Sequence, residues 1–269
     1  MRLAVALLLT AVVTAPAAAQ LGDRNQLGVR MGHMHLLVRD IAAHKRFWTE
    51  QVGMRLVTNG SLELVELPGI YVMLTQAADP PPPAGAIVDH FGFSVKDFAA
   101  SVARWKAAGI AMQPTENPNE LYLLAPDDVR VEVYGEPSLP QPMAMTHVHY
   151  YPQDPAAIQA WYVKVLGANP SWRPCVACLS RPRMYQTADI GPVNLTLTRS
   201  DQPRLATRGR AIDHVGFDVA NLDAFVRHLD AVGVALEGPV RTVPGTNVKI
   251  AFLTDPWGTR IELTEGLAP

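Results

Sequence analysis

The sequence predicts an α+β protein made of two tandem domains, each containing two βαβββ modules. Its 269 residues suit two domains of ordinary size. The stretch Asp-His-Phe-Gly-Phe-Ser-Val at residues 89–95 recurs at residues 213–219 as Asp-His-Val-Gly-Phe-Asp-Val. A second related pair, each with a His-x-His pattern, occupies residues 32–37 and 146–151. These repeats indicate four modules in two consecutive pairs.

The first 19 residues have the features of a secretory signal peptide. Arg2 precedes an apolar run over residues 3–13, and a series of small residues ends at Ala19. An uncleaved membrane anchor is the alternative, but the run is shorter than the roughly 20 residues that a membrane-spanning helix needs. We therefore expect a signal peptide over residues 1–19 and a mature protein that is soluble and periplasmic or secreted.

Each module is expected to begin with a strand and a helix and to end in three short strands. In the first module, residues 33–38 alternate as a strand does, Asp40 is a candidate helix N-cap and Gly53 a candidate helix stop. The third module begins in the same way, with Asp154 as its candidate N-cap. The three candidate strands of the first module lie at residues 55–58, 62–66 and 71–75.

Proline-rich or polar segments separate the modules. They lie at residues 80–83, 136–142 and 201–209. The middle segment divides the chain near Pro140 into a first domain over residues 31–135 and a second domain over residues 143–266.

The composition excludes several classes of protein. Hydrophobic residues make up 48% of the chain and charged residues only 18%, which is typical of a folded globular protein. There are 23 Lys and Arg residues against 25 Asp and Glu residues, so no basic excess is available to bind nucleic acid. Two cysteines are too few for a disulfide-built scaffold.

Histidines recur on the same side of each opening strand. Side chains alternate between the two faces of a strand, so His33 and His35 share one face while Met34 and Leu36 share the other. The apolar face is expected to pack on the helices. In the even modules His90 and His214 likewise lie opposite the apolar set.

A glutamate closes each pair of modules. Glu132 and Glu262 lie at matching positions in the related segments 126–133 and 256–263, each within an apolar strand. Two imidazoles and one carboxylate on neighbouring strands are what a two-histidine, one-carboxylate divalent metal site requires. The alternative is a polar barrel interior stabilised by hydrogen bonds, but the recurrence of the same residue types in both halves favours metal.

These motifs resemble the vicinal oxygen chelate superfamily, which includes glyoxalase, bleomycin-resistance, fosfomycin-resistance and extradiol dioxygenase proteins. The resemblance covers about residues 31–266. It implies that each pair of modules closes into a cupped, eight-stranded, barrel-like sheet with a divalent metal ion, Fe, Mn or Zn, in the cup. By motif position, the implied metal ligands are His33, His90 and Glu132 in the first domain, and His147, His214 and Glu262 in the second.

The sequence departs from two members of this superfamily. Glyoxalase-type lyases have a fourth carboxylate or amide ligand, and the matching positions here are Met73 and Thr196. Extradiol dioxygenases use a tyrosine near the metal, and Phe252 occupies the place expected for it. The departures leave the reaction open between dioxygenase-like and lyase-like chemistry.

The function that we expect is an exported, metal-dependent enzyme acting on a small substrate that chelates the metal through two adjacent oxygens. The alternatives are a non-catalytic binding or sequestering protein of bleomycin-resistance type and a structural pseudoenzyme. No nucleic-acid partner is expected, and no membrane partner once the signal peptide is removed.

Three further features qualify this expectation. His35 and His149 share the concave face with the ligands and are candidate catalytic residues, alternative ligands or hydrogen-bonded polar residues. Cys175 and Cys178 are expected to form a local disulfide. Arginines concentrate in the second domain, as a solvated surface or as an attraction for an anionic substrate. They are Arg173, Arg181, Arg183, Arg199, Arg204, Arg208 and Arg210.

Overall fold

The computed structural model describes residues 21–269, so the predicted signal peptide over residues 1–19 lies outside the described residues. The four βαβββ modules are confirmed. Module 1 consists of β1 (Val29–Val38), α1 (Ile41–Arg46) with a π-helical continuation (Phe47–Val52), β2 (Arg55–Asn59), β3 (Leu62–Leu67) and β4 (Ile70–Gln76). Module 2 consists of β5 (Val88–Val95), α2 (Phe98–Ala107), β6 (Met112–Pro114), β7 (Glu120–Leu124) and β8 (Arg130–Gly135).

The second half of the chain repeats this order. Module 3 consists of β9 (Met143–Tyr150), α3 (Pro155–Leu166), β10 (Asn169–Pro174), β11 (Met184–Ile190) and β12 (Val193–Leu197). Module 4 consists of β13 (Ile212–Val219), α4 (Leu222–Val232), β14 (Arg241–Thr242), β15 (Lys249–Thr254) and β16 (Arg260–Glu265). None of the described helices has both the length and the apolar character needed to cross a membrane.

Side-chain caps set the helix ends where the sequence predicts them. The Asp40 side chain accepts a hydrogen bond from a backbone N–H in the first turn of α1, and Asp154 does the same for α3. Gly53 and Gly167 end the two helical segments with φ of 95° and 67°. Only glycine adopts such left-handed geometry without steric cost, which explains why the helices stop there.

The sixteen strands form two eight-stranded sheets, as expected, but the modules pair differently from the prediction. Sheet I has the order β14-β15-β16-β13-β1-β4-β3-β2 and sheet II the order β10-β11-β12-β9-β5-β8-β7-β6. Sheet I therefore combines modules 1 and 4, and sheet II combines modules 2 and 3. The prediction that each consecutive pair, within residues 31–135 or 143–266, closes its own sheet is wrong.

The physical reason lies in what a sequence repeat can specify. A repeated motif identifies a module, but it says nothing about which module supplies the neighbouring strand. That choice is made by long-range antiparallel pairing of β1 with β13 and of β5 with β9. The chain passes to the other sheet through the proline-rich segment 80–83 and returns to the first through residues 201–209.

The helix-facing sides of both sheets form one continuous hydrophobic core. Met34 and Leu36 are fully buried in it, as the strand alternation predicts. Trp48, from module 1, stacks on Phe91 of β5 with ring centroids 6.0 Å apart, so residues of both sheets meet there. The opposite, concave faces carry the histidines and glutamates.

Candidate metal centres

The structure gathers the eight candidate residues into two clusters, each on the concave face of one sheet. Cluster I contains His33, His35, His214 and Glu262, and cluster II contains His90, Glu132, His147 and His149. Within each cluster, one potential ligand atom per residue lies within 4.8 Å of all the others.

The clusters regroup the ligand sets that the resemblance implies. His33 lies with His214 and Glu262, not with His90 and Glu132, and His147 lies with His90 and Glu132, not with His214 and Glu262. The implied sets are therefore wrong as sets. The cause is the pairing of module 1 with module 4, because the ligands of one site come from adjacent strands of one sheet.

The strand register explains how each cluster forms. His35 lies opposite His214 across β1 and β13, and His33 lies opposite Gly216, which neighbours Glu262 on β16. In sheet II, His149 lies opposite His90 and His147 opposite Gly92, which neighbours Glu132. The same register thus builds both clusters, which are related position by position.

A histidine pinned between two carboxylates is the central member of cluster II. His90 Nδ1 donates to Asp89 Oδ1 at 2.8 Å, and His90 Nε2 lies 2.9 Å from Glu132 Oε2. Arg130 in turn pairs with Asp89. A carboxylate on one ring nitrogen orients the ring and frees the other nitrogen for a metal.

Cluster I has the same arrangement. His214 Nδ1 lies 2.5 Å from Asp213 Oδ1, and His214 Nε2 lies 2.8 Å from Glu262 Oε2. Arg260 holds Asp213 with a contact of 2.8 Å. His33 Nε2 reaches the same Glu262 oxygen at 3.0 Å, so one carboxylate oxygen serves two imidazoles.

The tautomer of His147 follows from its neighbours. The Thr146 hydroxyl donates to the backbone oxygen of Gly92 at 3.0 Å, and its oxygen lies 3.0 Å from His147 Nδ1. Because the hydroxyl hydrogen is already used, Nδ1 must carry the proton and donate it to Thr146. His147 Nε2 is then a lone pair, and it is buried with no hydrogen-bond partner in the described structure.

Electrostatics keep the carboxylate charged and His147 neutral. Burial lowers the pKa of His147 to about 4, against the opposing effect of Glu132. Burial alone would raise the pKa of Glu132, but the neighbouring imidazoles of His147, 3.4 Å away, and His90 bring it well below its usual value. A neutral imidazole and an ionised carboxylate are the forms that bind a metal.

The second histidine of each His-x-His strand also belongs to its cluster and could be a metal ligand. His149 Nδ1 is 3.2 Å from His90 Nε2, and its Nε2 is 2.7 Å from the hydroxyl of Thr198. His35 Nε2 contacts the hydroxyl of Thr75 at 2.8 Å, and its Nδ1 has no partner in the described structure. Burial lowers the pKa of both histidines well below the usual value, so both are neutral.

The donors fit a divalent metal ion. Each cluster offers two or three imidazole nitrogens and one carboxylate oxygen, a set that suits Fe(II), Mn(II) or Zn(II). The unpartnered Nε2 of His147 is a further reason, since a buried polar atom without a partner costs free energy that a bound ion would offset.

The two concave faces differ in what surrounds the cluster. A pocket of about 160 Å³ adjoins cluster II, and its walls include Glu120, Tyr122, Arg173, Tyr185 and Thr196. Polar side chains therefore face Glu132, His147 and His149 across a space large enough for a small molecule.

The concave face of sheet I is instead apolar. Its buried hydrophobic cluster contains Leu21, Leu64, Tyr71, Val248, Ile250 and Leu267, with Met73 and Phe252 packed against it. By register, Met73, Ile250 and Phe252 occupy the positions of Thr196, Glu120 and Tyr122 in sheet II. The two faces thus share a cluster but not its surroundings.

Several site residues were not predicted from the sequence. Glu120 and Tyr122 lie on β7, which carries no repeated motif, and nothing in the sequence distinguishes them. Asp89 and Asp213 precede the histidine in both copies of a repeat, and that recurrence could have revealed them. The Tyr122 hydroxyl donates to Glu132 Oε2 at 3.3 Å. The equivalent position in sheet I is Phe252, so the sequence search for a tyrosine at that position found none.

The expected disulfide is confirmed. Cys175 and Cys178 are bonded, with Cα atoms 5.3 Å apart. Both residues line the pocket next to cluster II, close to Tyr185 and Arg183. The disulfide therefore closes a short loop that lines the pocket.

Fold and site together define a tandem βαβββ protein with two centres able to hold a metal. The family model of the Glyoxalase/Bleomycin resistance protein/Dioxygenase superfamily matches residues 30–133 and again residues 144–263. The matches cover most of the chain, so the protein belongs to this superfamily.

Solved structures share the fold over nearly the whole chain. Glyoxalase I from Zea mays superposes with a TM-score of 0.69 at 18% sequence identity, covering 88% of this chain and 92% of the maize chain. A candidate dioxygenase from Bacillus subtilis superposes with a TM-score of 0.63 at 12% identity, covering 91% of this chain and 86% of the other. No curated protein matches the sequence.

Proposed function

We propose that this protein is an exported, metal-dependent enzyme whose active centre is cluster II. The observation that carries the proposal is the buried, unpartnered Nε2 of His147, held in its lone-pair form by Thr146 beside the charged Glu132. A divalent ion held by His90, Glu132 and His147 would act as a Lewis acid or as an oxygen-activating centre. His149 is the fourth ligand or an acid–base group beside it.

The substrate proposed is a small molecule that presents two adjacent oxygens to the centre. Arg173 and Arg183 line the pocket, where they supply positive charge for a negatively charged group. Asp89 orients His90, and Tyr122 holds the Glu132 oxygen from the pocket side. The proposal leaves the reaction class open between dioxygenase-like and lyase-like chemistry. The experiments below distinguish the two classes by the metal ion that supports activity.

We propose that cluster I is a second metal centre that has no adjoining substrate pocket. Its ligands match those of cluster II, but apolar side chains occupy the space that the pocket occupies in sheet II. Substrate chemistry in sheet I therefore has little room and few polar partners.

A bidentate probe tests the proposal. Protein loaded with Co(II) is titrated with acetohydroxamate, which chelates through two adjacent oxygens, and the visible spectrum is recorded. We expect a spectral change in the wild type and in His33→Ala, and none in His147→Ala. No metal uptake by the wild type, or a response that survives in His147→Ala, would overturn the proposal in favour of a binding protein.

Oxygen uptake by the Fe(II)-, Mn(II)- and Zn(II)-loaded protein with catechol then separates the two reaction classes. Uptake that depends on Fe(II) or Mn(II) supports dioxygenase-like chemistry, and its absence with all three ions removes that assignment.

Export is proposed on two grounds. The sequence features of residues 1–19 are those of a signal peptide, and the Cys175–Cys178 disulfide suits an oxidising compartment. The intact mass of the protein recovered from the periplasm or medium tests it. A mass that still includes residues 1–19 would contradict export by cleavage.

A further inference from the structure

An isolated carboxylate in the pocket of sheet II has no role in the metal cluster. Glu120 is only 2% exposed and lines the pocket beside cluster II. Neither of its carboxylate oxygens has a hydrogen-bond partner in the described structure. A buried acceptor group left unpaired is costly, so such groups usually have a function.

The surroundings of Glu120 do not supply the missing partner. Arg173 lines the same pocket, but its guanidinium contacts Asn194 and Thr196 at 3.2 and 3.4 Å. It forms no ion pair with Glu120 among the described residues, and the Tyr122 hydroxyl is already donated to Glu132. The donor that Glu120 lacks must therefore come from the contents of the pocket.

The other sheet shows that the fold does not need a carboxylate at this position. Glu120 lies opposite Tyr134, two residues beyond the partner of Tyr122. The same register on sheet I places Ile250 there, buried in the apolar cluster. A hydrophobic side chain thus satisfies the fold, and the carboxylate is a feature of the polar pocket alone.

We infer that Glu120 is a specificity-determining residue that accepts a hydrogen bond from a hydroxyl group of the substrate. The ligand class is a small hydroxylated acid, whose adjacent oxygens face cluster II, whose negative charge is shared with Arg173, and whose additional hydroxyl reaches Glu120. This inference rests on the proposed function in one respect, namely that the pocket beside cluster II is the substrate site.

The raised pKa of Glu120 reflects the missing hydrogen-bond donor. Burial, and then the nearby charge of Glu132, raise the pKa of Glu120 to about 7, although Arg173 and His90 oppose the shift. A hydroxyl donor on the ligand would replace the hydrogen bonds to water that the carboxylate loses on burial, and would thereby favour its ionised form. Polar groups built to receive a hydroxyl reject the analogue that lacks it.

Matched probes test the inference. The Zn(II)-loaded His33→Ala protein, in which only cluster II is complete, is titrated calorimetrically with glycerate and lactate, and with 3-hydroxybenzoate and benzoate. Each pair differs by one hydroxyl group. We expect at least one pair to show about tenfold or greater preference for the hydroxylated member, the size of a hydrogen bond to a charged group.

Variants assign that preference to Glu120. Glu120→Leu is expected to abolish it and Glu120→Gln, which keeps an acceptor oxygen, to retain part of it. Ile250→Val, at the equivalent position in sheet I, is the matched control and should leave it unchanged. No preference in either pair, or a preference that survives in Glu120→Leu, would overturn the inference.

A readout without ligand separates a binding role from a structural one. Replacing an unpaired buried carboxylate by leucine is expected to raise the melting temperature, whereas loss of a structural residue would lower it. A lower melting temperature for both Glu120→Leu and Glu120→Gln would contradict the inference.

The metal content of the same samples separates failure of this inference from failure of the proposed function. Absence of metal rejects the proposed function, and metal without a hydroxyl preference rejects only the role of Glu120.

Discussion

Gly92 and His147 lie opposite each other on β5 and β9, so close that a Cβ atom on Gly92 would be 2.5 Å from His147 Cε1. Gly216 and His33 have the same relationship in sheet I, where the distance would be 2.1 Å. The glycine of each His-x-Gly motif therefore has no side chain because the histidine ring of the neighbouring strand occupies the position where its Cβ atom would lie. This explains why the motif recurs in both even modules.

Gly92→Ala is expected to displace the ring of His147 and abolish metal binding at cluster II. The overpacking should also lower the free energy of unfolding by about 1–3 kcal/mol. Metal analysis by mass spectrometry and chemical denaturation measure the two effects. Ser94→Ala, a buried change on the same strand, is the control. Retention of both ions in Gly92→Ala would show that the close approach does not matter.

Asp89→Asn is expected to weaken metal binding at cluster II by about 10–100-fold without eliminating the site, as is usual when the hydrogen-bond partner of a ligating histidine is lost. The reason is that Asp89 orients His90 through Nδ1. Competition with a chelator measures the affinity. Asp213→Asn should weaken only cluster I, and an equal effect of both substitutions on one cluster would refute the assignment.

Cleavage of the chain between the two halves is expected to leave the protein assembled. A protease site placed within residues 136–142 cuts an exposed linker, but β1–β13 and β5–β9 pairing joins the halves on both sheets. Size-exclusion chromatography of the nicked protein should show one peak at the mass of the whole chain. Separate elution of two halves would contradict the observed pairing.

The stability of the wild type relative to Glu120→Gln is expected to fall as pH rises from about 4.5 to about 7. The folded protein holds the Glu120 proton up to a pKa of about 7, whereas the unfolded chain releases it near 4.5. In that interval the folded state binds more protons, so rising pH disfavours folding. The charged groups facing Glu120 are Glu132, Arg173 and His90.

Urea denaturation of both proteins between pH 4 and pH 8 measures this difference. Glu50→Gln, at an exposed helical position, is the control for the substitution itself. A stability difference that is flat across the interval would show that Glu120 has no raised pKa.

Local sequence patterns predicted the helices and strands, whereas long-range strand pairing determines which residues share a metal centre. The caps at Asp40 and Asp154 and the alternation of His33 with Met34 depend on neighbouring residues, so the sequence reveals them. The partner of His33 depends on which strand lies beside β1, and the repeats are equally compatible with β5 and β13. The resemblance supplied the residue types of the metal centre, but not their grouping.

The pocket residues were beyond prediction for a different reason. Glu120 and Arg173 come from different modules and line one pocket only because β7 and β10 belong to the same curled sheet. Neither lies in a repeat, since the fold of the second copy requires no polar residue there. The residues proposed to determine specificity lie where the two copies differ, so similarity between the copies could not reveal them.

The most direct test of the account is the metal content of two double variants. His33→Ala/His214→Ala removes two ligands of cluster I only, and His33→Ala/His90→Ala removes one ligand from each cluster. With two ions in the wild type, we expect the first variant to keep one ion and the second to keep none tightly bound. One ion in the second variant and none in the first, or no metal in the wild type, would contradict the two centres described.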